Sequence, residues 1–228
     1  MMKPVLELRN VSKTYCKTGL PVHALKKTNL KINRKEFISI MGPSGSGKST
    51  MLHMIGCLDR PTTGSIMVNG SDISKLDDNE VARIRRKTIG FIFQFFNLIP
   101  NFTAVKNVEL PMIFSNYPDR EKRAEELLKT VGLGQRLGHY PSQLSGGEIQ
   151  RVSVARAMAN NPDIILADEP TGNLDSQSGA EVLDLLKKLN KERGVTLVMV
   201  THDKKIAMQA KKLIYLKDGQ IIKRGVKR

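Results

Sequence analysis

The chain contains 228 residues, of which 37 are Lys or Arg and 22 are Asp or Glu, so its formal net charge is +15. This length suits one large domain, or a core with a smaller insertion, rather than a string of small modules. No apolar run approaches the roughly 20 residues that a membrane-spanning helix needs. The charge favours anionic partners, but it does not choose among nucleotide phosphates, nucleic acid and lipid headgroups.

Cysteine usage and the first residues of the chain indicate the compartment. Cys16 and Cys57 lack a metal-binding spacing, and we expect both to be reduced thiols without a chemical role. The first residues include no long apolar segment and no small-residue cleavage site. We therefore expect no secretory signal and a chain that stays in the cytoplasm.

In chain order, short strands are the first predicted elements. Val5–Arg9 and Ser65–Val68 are typical of strands in an antiparallel part. Between them lies the apolar run Phe37–Met41, which predicts a strand buried on both faces of a parallel sheet. A helix is predicted over Thr50–Gly56. The first third of the chain therefore combines antiparallel and parallel sheet.

Three more apolar runs predict buried parallel strands, namely Ile89–Phe93, Ile164–Ala167 and Thr196–Val200. Residues 95–159 carry almost no strand signal, and Ala124, Leu127, Leu128 and Val131 recur there at helical spacing. We therefore predict a nucleotide-binding core over 1–94 and 160–228, with a helical subdomain over 95–159.

The last quarter of the chain predicts a helix and a hairpin. Apolar residues from Val182 to Leu189 follow a possible Ser178/Glu181 capping box, and Gly194 ends that segment. Leu213–Leu216 and Gln220–Lys223 flank a turn at Asp218 and Gly219. This hairpin adds to the antiparallel part.

The strongest chemical signal is a phosphate-binding loop between the strand Phe37–Met41 and the following helix. Its glycines allow backbone N–H groups to face phosphate oxygens, Lys48 adds a positive charge, and Ser49 offers an oxygen to Mg²⁺. A plain Gly/Ser turn would explain neither Lys48 nor Ser49. The predicted ATP-binding residues of this segment are Gly42, Pro43, Ser44, Gly45, Ser46, Gly47, Lys48, Ser49 and Thr50.

Polar residues follow three of the predicted parallel strands, where α/β sheets bind ligands. Asp168 is placed to hold Mg²⁺, and Glu169 to orient and deprotonate the attacking water. Alone, these two acids could equally be helix caps. Gln94 is placed to reach the metal or the water, and His202 to donate a hydrogen bond to the terminal phosphate.

The segment Leu144–Glu148, LSGGE in sequence, separates one family from others. Ser145 and Glu148 form a capping box for the following helix. That interpretation leaves Gly146 and Gly147 unexplained, since glycine in a helix costs about 1 kcal/mol relative to alanine. A close approach of backbone N–H groups to an anion would explain them.

With these motifs in this order, the sequence resembles the ATP-binding cassette (ABC) family over nearly its whole length. The resemblance implies an α/β fold with a P-loop NTPase, RecA-like core. This core has a mainly parallel sheet, an N-terminal antiparallel β part and an inserted helical subdomain. It also implies a head-to-tail homodimer in which Ser145, Gly146, Gly147 and Glu148 of one copy complete the ATP site at the other copy's Lys48. By the same resemblance, Tyr15 stacks on adenine and Asp175 couples the two sites, although Tyr15 could instead be a packing residue.

A closer resemblance is to lipoprotein-releasing, macrolide-efflux and antimicrobial-peptide exporters, carried by Phe93–Pro100 and Gly56–Thr62. In these relatives, apolar residues after Gln94 accept a helix of the membrane subunit, although they could equally be core of the insertion. The sequence departs from the common pattern at Glu148 and Ile149, where many relatives carry glutamines, and at Asn173, where alanine is common.

The expected function is an ATPase subunit that uses ATP and Mg²⁺, dimerises around two ATP molecules and drives integral membrane permease subunits. The resemblance implies export or release of a lipoprotein, peptide or drug, and attachment to the inner face of the cell membrane. We expect no specific nucleic acid partner. The alternative is a soluble ABC-type ATPase acting on nucleic acid or ribosomes, which usually carries a long insertion or two cassettes. A regulatory module without turnover would lack Glu169.

Overall fold

The computed structural model describes residues 4–17 and 20–226. In chain order, the elements are β1 (Pro4–Lys17), β2 (Leu20–Asn33), β3 (Phe37–Met41), α1 (Lys48–Ile55), β4 (Thr63–Val68), β5 (Ser71–Asp72), α2 (Asp78–Thr88), β6 (Ile89–Ile92), α3 (Ala104–Ile113), α4 (Arg120–Thr130), α5 (Gly146–Ala157), β7 (Ile164–Asp168), α6 (Ser176–Arg193), β8 (Thr196–Val200), α7 (Lys204–Ala207), β9 (Lys212–Lys217) and β10 (Gln220–Val226). Among these described helices, none is both long enough and apolar enough to cross a membrane.

Two compact units make up the chain, Met1–Arg85 with Thr196–Arg228, and Arg86–Val195. The helical stretch predicted at 95–159 lies inside the second unit. In its described backbone this stretch contains no strand. The subdomain boundaries at 94/95 and 159/160 stay a prediction.

The first unit contains an antiparallel sheet with the strand order β2-β1-β4-β5. Val5, Leu6, Leu8 and Val11 of β1 are buried and supply much of its core. The strand β2 was not predicted from the sequence. Its first five residues are not buried, and alternation is regular only towards its end, where Leu30 and Ile32 are buried between exposed residues.

A mostly parallel sheet in the same unit has the order β10-β9-β3-β8. β3 lies parallel to both β8 and β9, and β9 forms an antiparallel hairpin with β10. Four residues of β3 and every residue of β8 are buried, as expected for strands covered on both faces. Asp218 and Gly219 both have positive φ, 48° and 75°, which confirms the predicted tight hairpin turn.

The second unit contains the parallel pair β6 and β7, in which Ile89 lies opposite Ile164 and Ile92 opposite Ala167. The carboxyl-terminal end of α5 passes close to β6. A Cβ atom on Gly90 would lie 2.2 Å from the carbonyl oxygen of Ala157. Only glycine at this position permits the helix to approach the strand so closely.

The helices α3, α4 and α5 pack against one another in this unit. Their shared core contains Val108 and Met112 of α3, Ala124 and Leu128 of α4, and Val152 of α5, all fully buried. Fully buried Asn107 holds the chain before α3, because its side chain bonds to the backbone of Ile99 and Phe102. The helical insertion thus has its own apolar core.

The start of α6 differs from the sequence-based expectation. Asp175 is its N-cap, and its Oδ1 accepts hydrogen bonds at 3.0 Å from the backbone N–H groups of both Gln177 and Ser178. The predicted capping box at Ser178 and Glu181 is therefore wrong, since the N-cap lies three residues earlier. The predicted end is confirmed, because Gly194 takes the left-handed conformation that ends a helix.

Candidate functional site

The phosphate-binding loop joins β3 to α1 and depends on two glycines. Gly47 has a φ of 97°, and a Cβ atom there would lie 2.4 Å from the carbonyl oxygen of Ala24. A Cβ atom on Gly42 would lie 2.1 Å from the carbonyl oxygen of Leu216. The loop is therefore pressed against backbone from two other strands, and no larger residue fits at either position.

The start of α1 provides backbone N–H donors next to the loop. Its N-cap is Gly47, which has no side chain to accept a hydrogen bond, and no acidic residue lies in the first turn. The first N–H groups of a helix have no partner within the helix and carry the positive end of its dipole. The loop and helix start therefore form a site suited to an anion.

Lys48 adds a full positive charge at this site. Its Nζ donates hydrogen bonds of 2.9 Å to the carbonyl oxygens of Gly42 and Pro43, so the side chain folds back over the loop. Ser46 is buried and fixes the loop, because its carbonyl oxygen accepts a 3.1 Å hydrogen bond from the N–H of Gly219. The Oγ of Ser46 is a buried atom that has no hydrogen-bond partner in the described structure.

His202 belongs to the same sheet edge of the first unit. It follows β8 and is exposed, while the preceding Thr201 is buried and bonds to the N–H of Asp203 at 3.1 Å. Because β3 and β8 are parallel, with Ile40 opposite Val200, His202 and the phosphate-binding loop leave the sheet at the same edge. This placement agrees with the predicted role of His202 toward a phosphate.

In the second unit, Gln94, Asp168 and Glu169 share another strand edge. Asp168 ends β7, and Gln94 follows β6, its parallel neighbour. Glu169 has a φ of 46°, a strained backbone of a kind that clusters at functional sites. A Cβ atom on Gly172 would lie 3.3 Å from Nε2 of Gln94 and 3.5 Å from Cβ of Glu169, so these side chains are neighbours.

The described residues contain no cluster of three or more His, Cys, Asp or Glu side chains that could hold a metal ion. The three predicted Mg²⁺ ligands, Ser49, Gln94 and Asp168, offer a hydroxyl, an amide and a carboxylate oxygen. Magnesium prefers such oxygens and usually keeps waters and substrate phosphates as its other ligands. The donor set therefore fits magnesium that arrives with a nucleotide.

The LSGGE segment starts α5, and its capping box is present. Oγ of Ser145 accepts from the N–H of Glu148 at 3.2 Å, and Oε2 of Glu148 accepts from the N–H of Ser145 at 2.9 Å. The backbone hydrogen bond from Ser145, and then Arg136 at 3.3 Å, hold the pKa of Glu148 below its usual value. Ser145 and Gly146 are exposed. The start of this helix is thus open to solvent.

Gly147 has a packing reason that the sequence did not indicate. A Cβ atom there would lie 2.9 Å from both Cβ and Oγ of Ser178 on α6. Gly146 has more room, since its nearest neighbour would be Leu174 Cδ2 at 3.5 Å. The close contact of α5 with α6 therefore requires glycine at position 147, whereas an anion-binding role for Gly146 stays a prediction.

Comparison with known proteins assigns these features to a family. The ABC transporter family profile matches residues 25–172. An ABC transporter ATP-binding protein of Methanocaldococcus jannaschii, MJ0796, is 55% identical over 223 residues, with 95% of each chain covered. A dimeric MJ0796 structure bound to ADP and Pi matches with a TM-score of 0.90 at 53% identity, covering 98% of this chain and 99% of that one. The chain belongs to the ABC transporter family.

A second relative is the macrolide export ATP-binding/permease protein MacB of Wolinella succinogenes, 50% identical over 226 residues. The match includes 98% of this ABC cassette but only 35% of the length of MacB. Family membership confirms the predicted fold class and the assignment as an ATPase. The roles of individual site residues stay predictions.

Two residues near the site of this ABC cassette were not predicted to act there. The side chain of Asn173 donates a 2.9 Å hydrogen bond to the carbonyl oxygen of Gln94. Arg156 of α5 donates to the carbonyl oxygens of Phe96 and Asn97, both of which have positive φ. Burial lowers the pKa of Arg156 to about 10. Asn173 stood out in the sequence as a departure from the family pattern, whereas no sequence signal pointed to Arg156.

Proposed function

We propose that this ABC cassette binds two ATP molecules between two copies of itself and uses their hydrolysis to drive a membrane permease. The observation that carries the proposal is the glycine-built loop at the uncapped start of α1, with Lys48 folded over it. The dimeric, ADP-bound structure of MJ0796 supports the two-copy arrangement. The likeness to the macrolide exporter MacB supports export, and we propose a lipoprotein, peptide or drug as the exported or released substance.

Binding of the triphosphate would use the N–H groups of the loop and the Lys48 ammonium. The phosphate oxygens would replace the carbonyl oxygens of Gly42 and Pro43 as acceptors for Lys48. Charge-assisted hydrogen bonds to an anion are stronger than bonds to neutral carbonyl groups. Ser49, Asp168 and Gln94 would hold Mg²⁺, which when bound neutralises charge on the phosphates.

Hydrolysis would require a water in line with the bond between the β–γ bridging oxygen and the terminal phosphorus. Glu169 would accept a proton from this water as its oxygen attacks the phosphorus, and the bond to ADP would break. Gln94 would orient the water, and His202 would donate a hydrogen bond to the developing charge on the phosphate. The strained backbone at Glu169 supports such a positioned side chain.

The second copy would complete each site through the start of its α5. Ser145 and Gly146 are exposed there, and the positive end of the helix dipole would face the terminal phosphate. Gly147 and Glu148 keep this helix start in shape through packing and the capping box. Asp175, the exposed cap of α6, would couple the two sites across the interface.

Coupling to the permease would use the surface that follows Gln94. Phe95 has 74% of its surface exposed and directly follows Gln94. An apolar segment of a permease subunit could cover this ring, and the cassette would then lie on the inner face of the membrane. ATP-driven closure of the dimer would move this surface and so change the state of the permease.

The test is the Glu169→Gln variant of the whole chain. It should bind ATP, hydrolyse it at least about 100-fold more slowly, and accumulate as a dimer in size-exclusion chromatography with saturating ATP. Glu192→Gln, at the far end of α6, is the matched control and should behave as wild type. Monomeric Glu169→Gln under these conditions would contradict the two-copy site.

The transport role needs a separate test. Affinity purification of the chain from detergent-solubilised membranes, followed by mass spectrometry, should recover a permease with transmembrane segments. Phe95→Asp should reduce this recovery but leave the basal ATPase rate within about twofold of wild type, since Phe95 lies outside the catalytic groups. Recovery of ribosomes or nucleic acid in place of a permease would favour the soluble ATPase.

A further inference from the structure

The region around Tyr15 contains a hydrogen-bonded network that the motifs do not include. The Tyr15 hydroxyl donates a 2.8 Å hydrogen bond to Oδ2 of Asp59. The other carboxylate oxygen of Asp59 accepts a 2.6 Å hydrogen bond from Nζ of Lys13. The same ammonium lies 4.8 Å from the centre of the Tyr15 ring. One carboxylate therefore holds the hydroxyl of the ring and the cation that covers one of its faces.

The segment that carries Asp59 is fixed along β1 by further hydrogen bonds. The N–H of Thr62 donates to the carbonyl oxygen of Ser12 at 2.8 Å, and Oγ1 of Thr62 accepts from the N–H of Thr14 at 3.0 Å. Lys13 also donates to the carbonyl oxygen of Arg60 at 2.8 Å. We call residues 59–62 the strap, because they bind β1 along the stretch that leads to Tyr15.

The strap follows α1, the helix that begins in the phosphate-binding loop. The ring of Tyr15 is thus connected, through Asp59, to the segment that follows the end of α1. Burial raises the pKa of Tyr15, and the hydrogen bond to Asp59 raises it further, so the hydroxyl keeps its proton to donate.

We propose that Asp59, held by Lys13, is a positioning residue for nucleotide recognition that fixes the Tyr15 ring in the orientation for stacking on adenine. This inference rests on the proposed function, in which Tyr15 meets the base. The ammonium of Lys13 covers one face of the ring, so the base would use the opposite face. A ring fixed before binding loses less conformational freedom when the base arrives, which strengthens binding.

The network predicts an effect on the base but not on the phosphates. We would measure ADP and inorganic diphosphate binding by isothermal titration calorimetry. Tyr15→Phe keeps the ring and removes its tether, and Asp59→Ala removes the acceptor. Each should raise the ADP dissociation constant about fivefold and leave the diphosphate constant within about twofold of wild type. Asp59→Asn keeps an acceptor oxygen and should restore most of the ADP affinity.

A double-mutant cycle tests whether the two residues act together. The Tyr15→Phe/Asp59→Ala double variant should bind ADP no more weakly than either single variant, since both remove the same bond. In steady-state assays each single variant should raise KM for ATP with kcat unchanged. Tyr117→Phe, in the second unit, is the control and should match wild type. Thermal unfolding of each variant would detect a general loss of structure.

The outcomes separate this inference from the function on which it rests. Wild-type ADP affinity in Tyr15→Phe, with weakened affinity in Tyr15→Ala, would overturn the positioning role of Asp59 but keep the stacking role of Tyr15. Equal losses for ADP and diphosphate would show that the network only supports the fold. Unchanged ADP affinity in Tyr15→Ala would remove Tyr15 from the proposed site itself.

Discussion

Backbone geometry determines which residue types the phosphate-binding loop can accept at single positions. Gly47→Ala places a methyl group 2.4 Å from a carbonyl oxygen and forces alanine to a φ of 97°. The backbone strain alone is worth about 1–3 kcal/mol. We predict a lowered melting temperature and loss of ADP binding, measured by thermal unfolding and calorimetry. Gly138 has open space and no positive φ, so Gly138→Ala should change neither quantity.

The two cysteines differ in burial and should therefore differ in reactivity. Cys16 is exposed, whereas Cys57 is buried, and burial raises the pKa of the Cys57 thiol to about 12. Since the thiolate is the reacting form, Cys57 should resist alkylation in the native protein. Mass spectrometry after iodoacetamide treatment at pH 8 should show one label, and two after unfolding in urea. A native Cys16→Ser variant that takes up label would contradict this expectation.

An acidic side chain on β1 predicts a pH dependence of stability. Glu7 pairs with Arg9 at 2.7 Å and Lys31 at 2.9 Å, and its pKa is lowered to about 2, chiefly by the hydrogen bond to Arg9 and then by that to Lys31. A lowered native pKa stabilises the fold above the unfolded value of 4.5, and this stabilisation is lost as pH falls towards 2. Urea unfolding between pH 6 and pH 3 should show a smaller loss of stability for Glu7→Gln than for wild type. An equal loss of stability with falling pH in both proteins would argue against a lowered pKa for Glu7.

At the scale of elements, the start of α6 offers a direct comparison of two possible caps. Asp175→Ala removes the acceptor of two backbone N–H groups and should destabilise the fold by about 1 kcal/mol. Ser178→Ala tests the cap that the sequence favoured, and it should change stability by less than about half that amount. Chemical denaturation of each variant measures the difference. A larger loss for Ser178→Ala would restore the sequence-based assignment.

Strands with continuous burial were predictable from the sequence, whereas the partly exposed strand β2 was missed. The strands Phe37–Met41 and Thr196–Val200 have the predicted bounds because both faces of each strand are buried, which produces a continuous apolar run in the sequence. β2 was missed because long-range pairing with β1 stabilises it, and its basic exposed residues hide the alternation. Asp175 was missed as a cap because Ser178 and Glu181 have the spacing of a capping box, whereas the residue three positions after Asp175 is Ser178.

The candidate site was predictable where one segment carries the chemistry. The residue types and spacing from Gly42 to Ser49 are enough to predict a phosphate-binding loop. Arg156 lies 60 residues from the carbonyl oxygen of Phe96 that it binds, and no local pattern records such a contact. The packing of Gly147 against Ser178 depends equally on how two helices meet. Long-range contacts of this kind require the folded chain.

At the scale of the whole molecule, a shared site predicts complementation between inactive variants. Lys48→Ala and Ser145→Arg should each be inactive alone, since every site of either dimer lacks one group. A mixed dimer contains one intact site, formed by Lys48 of one copy and Ser145 of the other. An equal mixture should therefore regain ATPase activity, up to about one quarter of wild type, measured by phosphate release. A mixture that stays inactive would contradict two shared sites that hydrolyse ATP independently.

Lys48 has a further consequence for how the cassette exchanges its nucleotide. Its ammonium already holds two carbonyl oxygens of its own loop. In the proposed site, an incoming phosphate would compete with the protein for the same donor, and the affinity would reflect only the difference between the two sets of bonds. When the products leave, the loop carbonyls can take back the ammonium. The protein itself can thus act as a substitute ligand, which would keep binding reversible through repeated cycles.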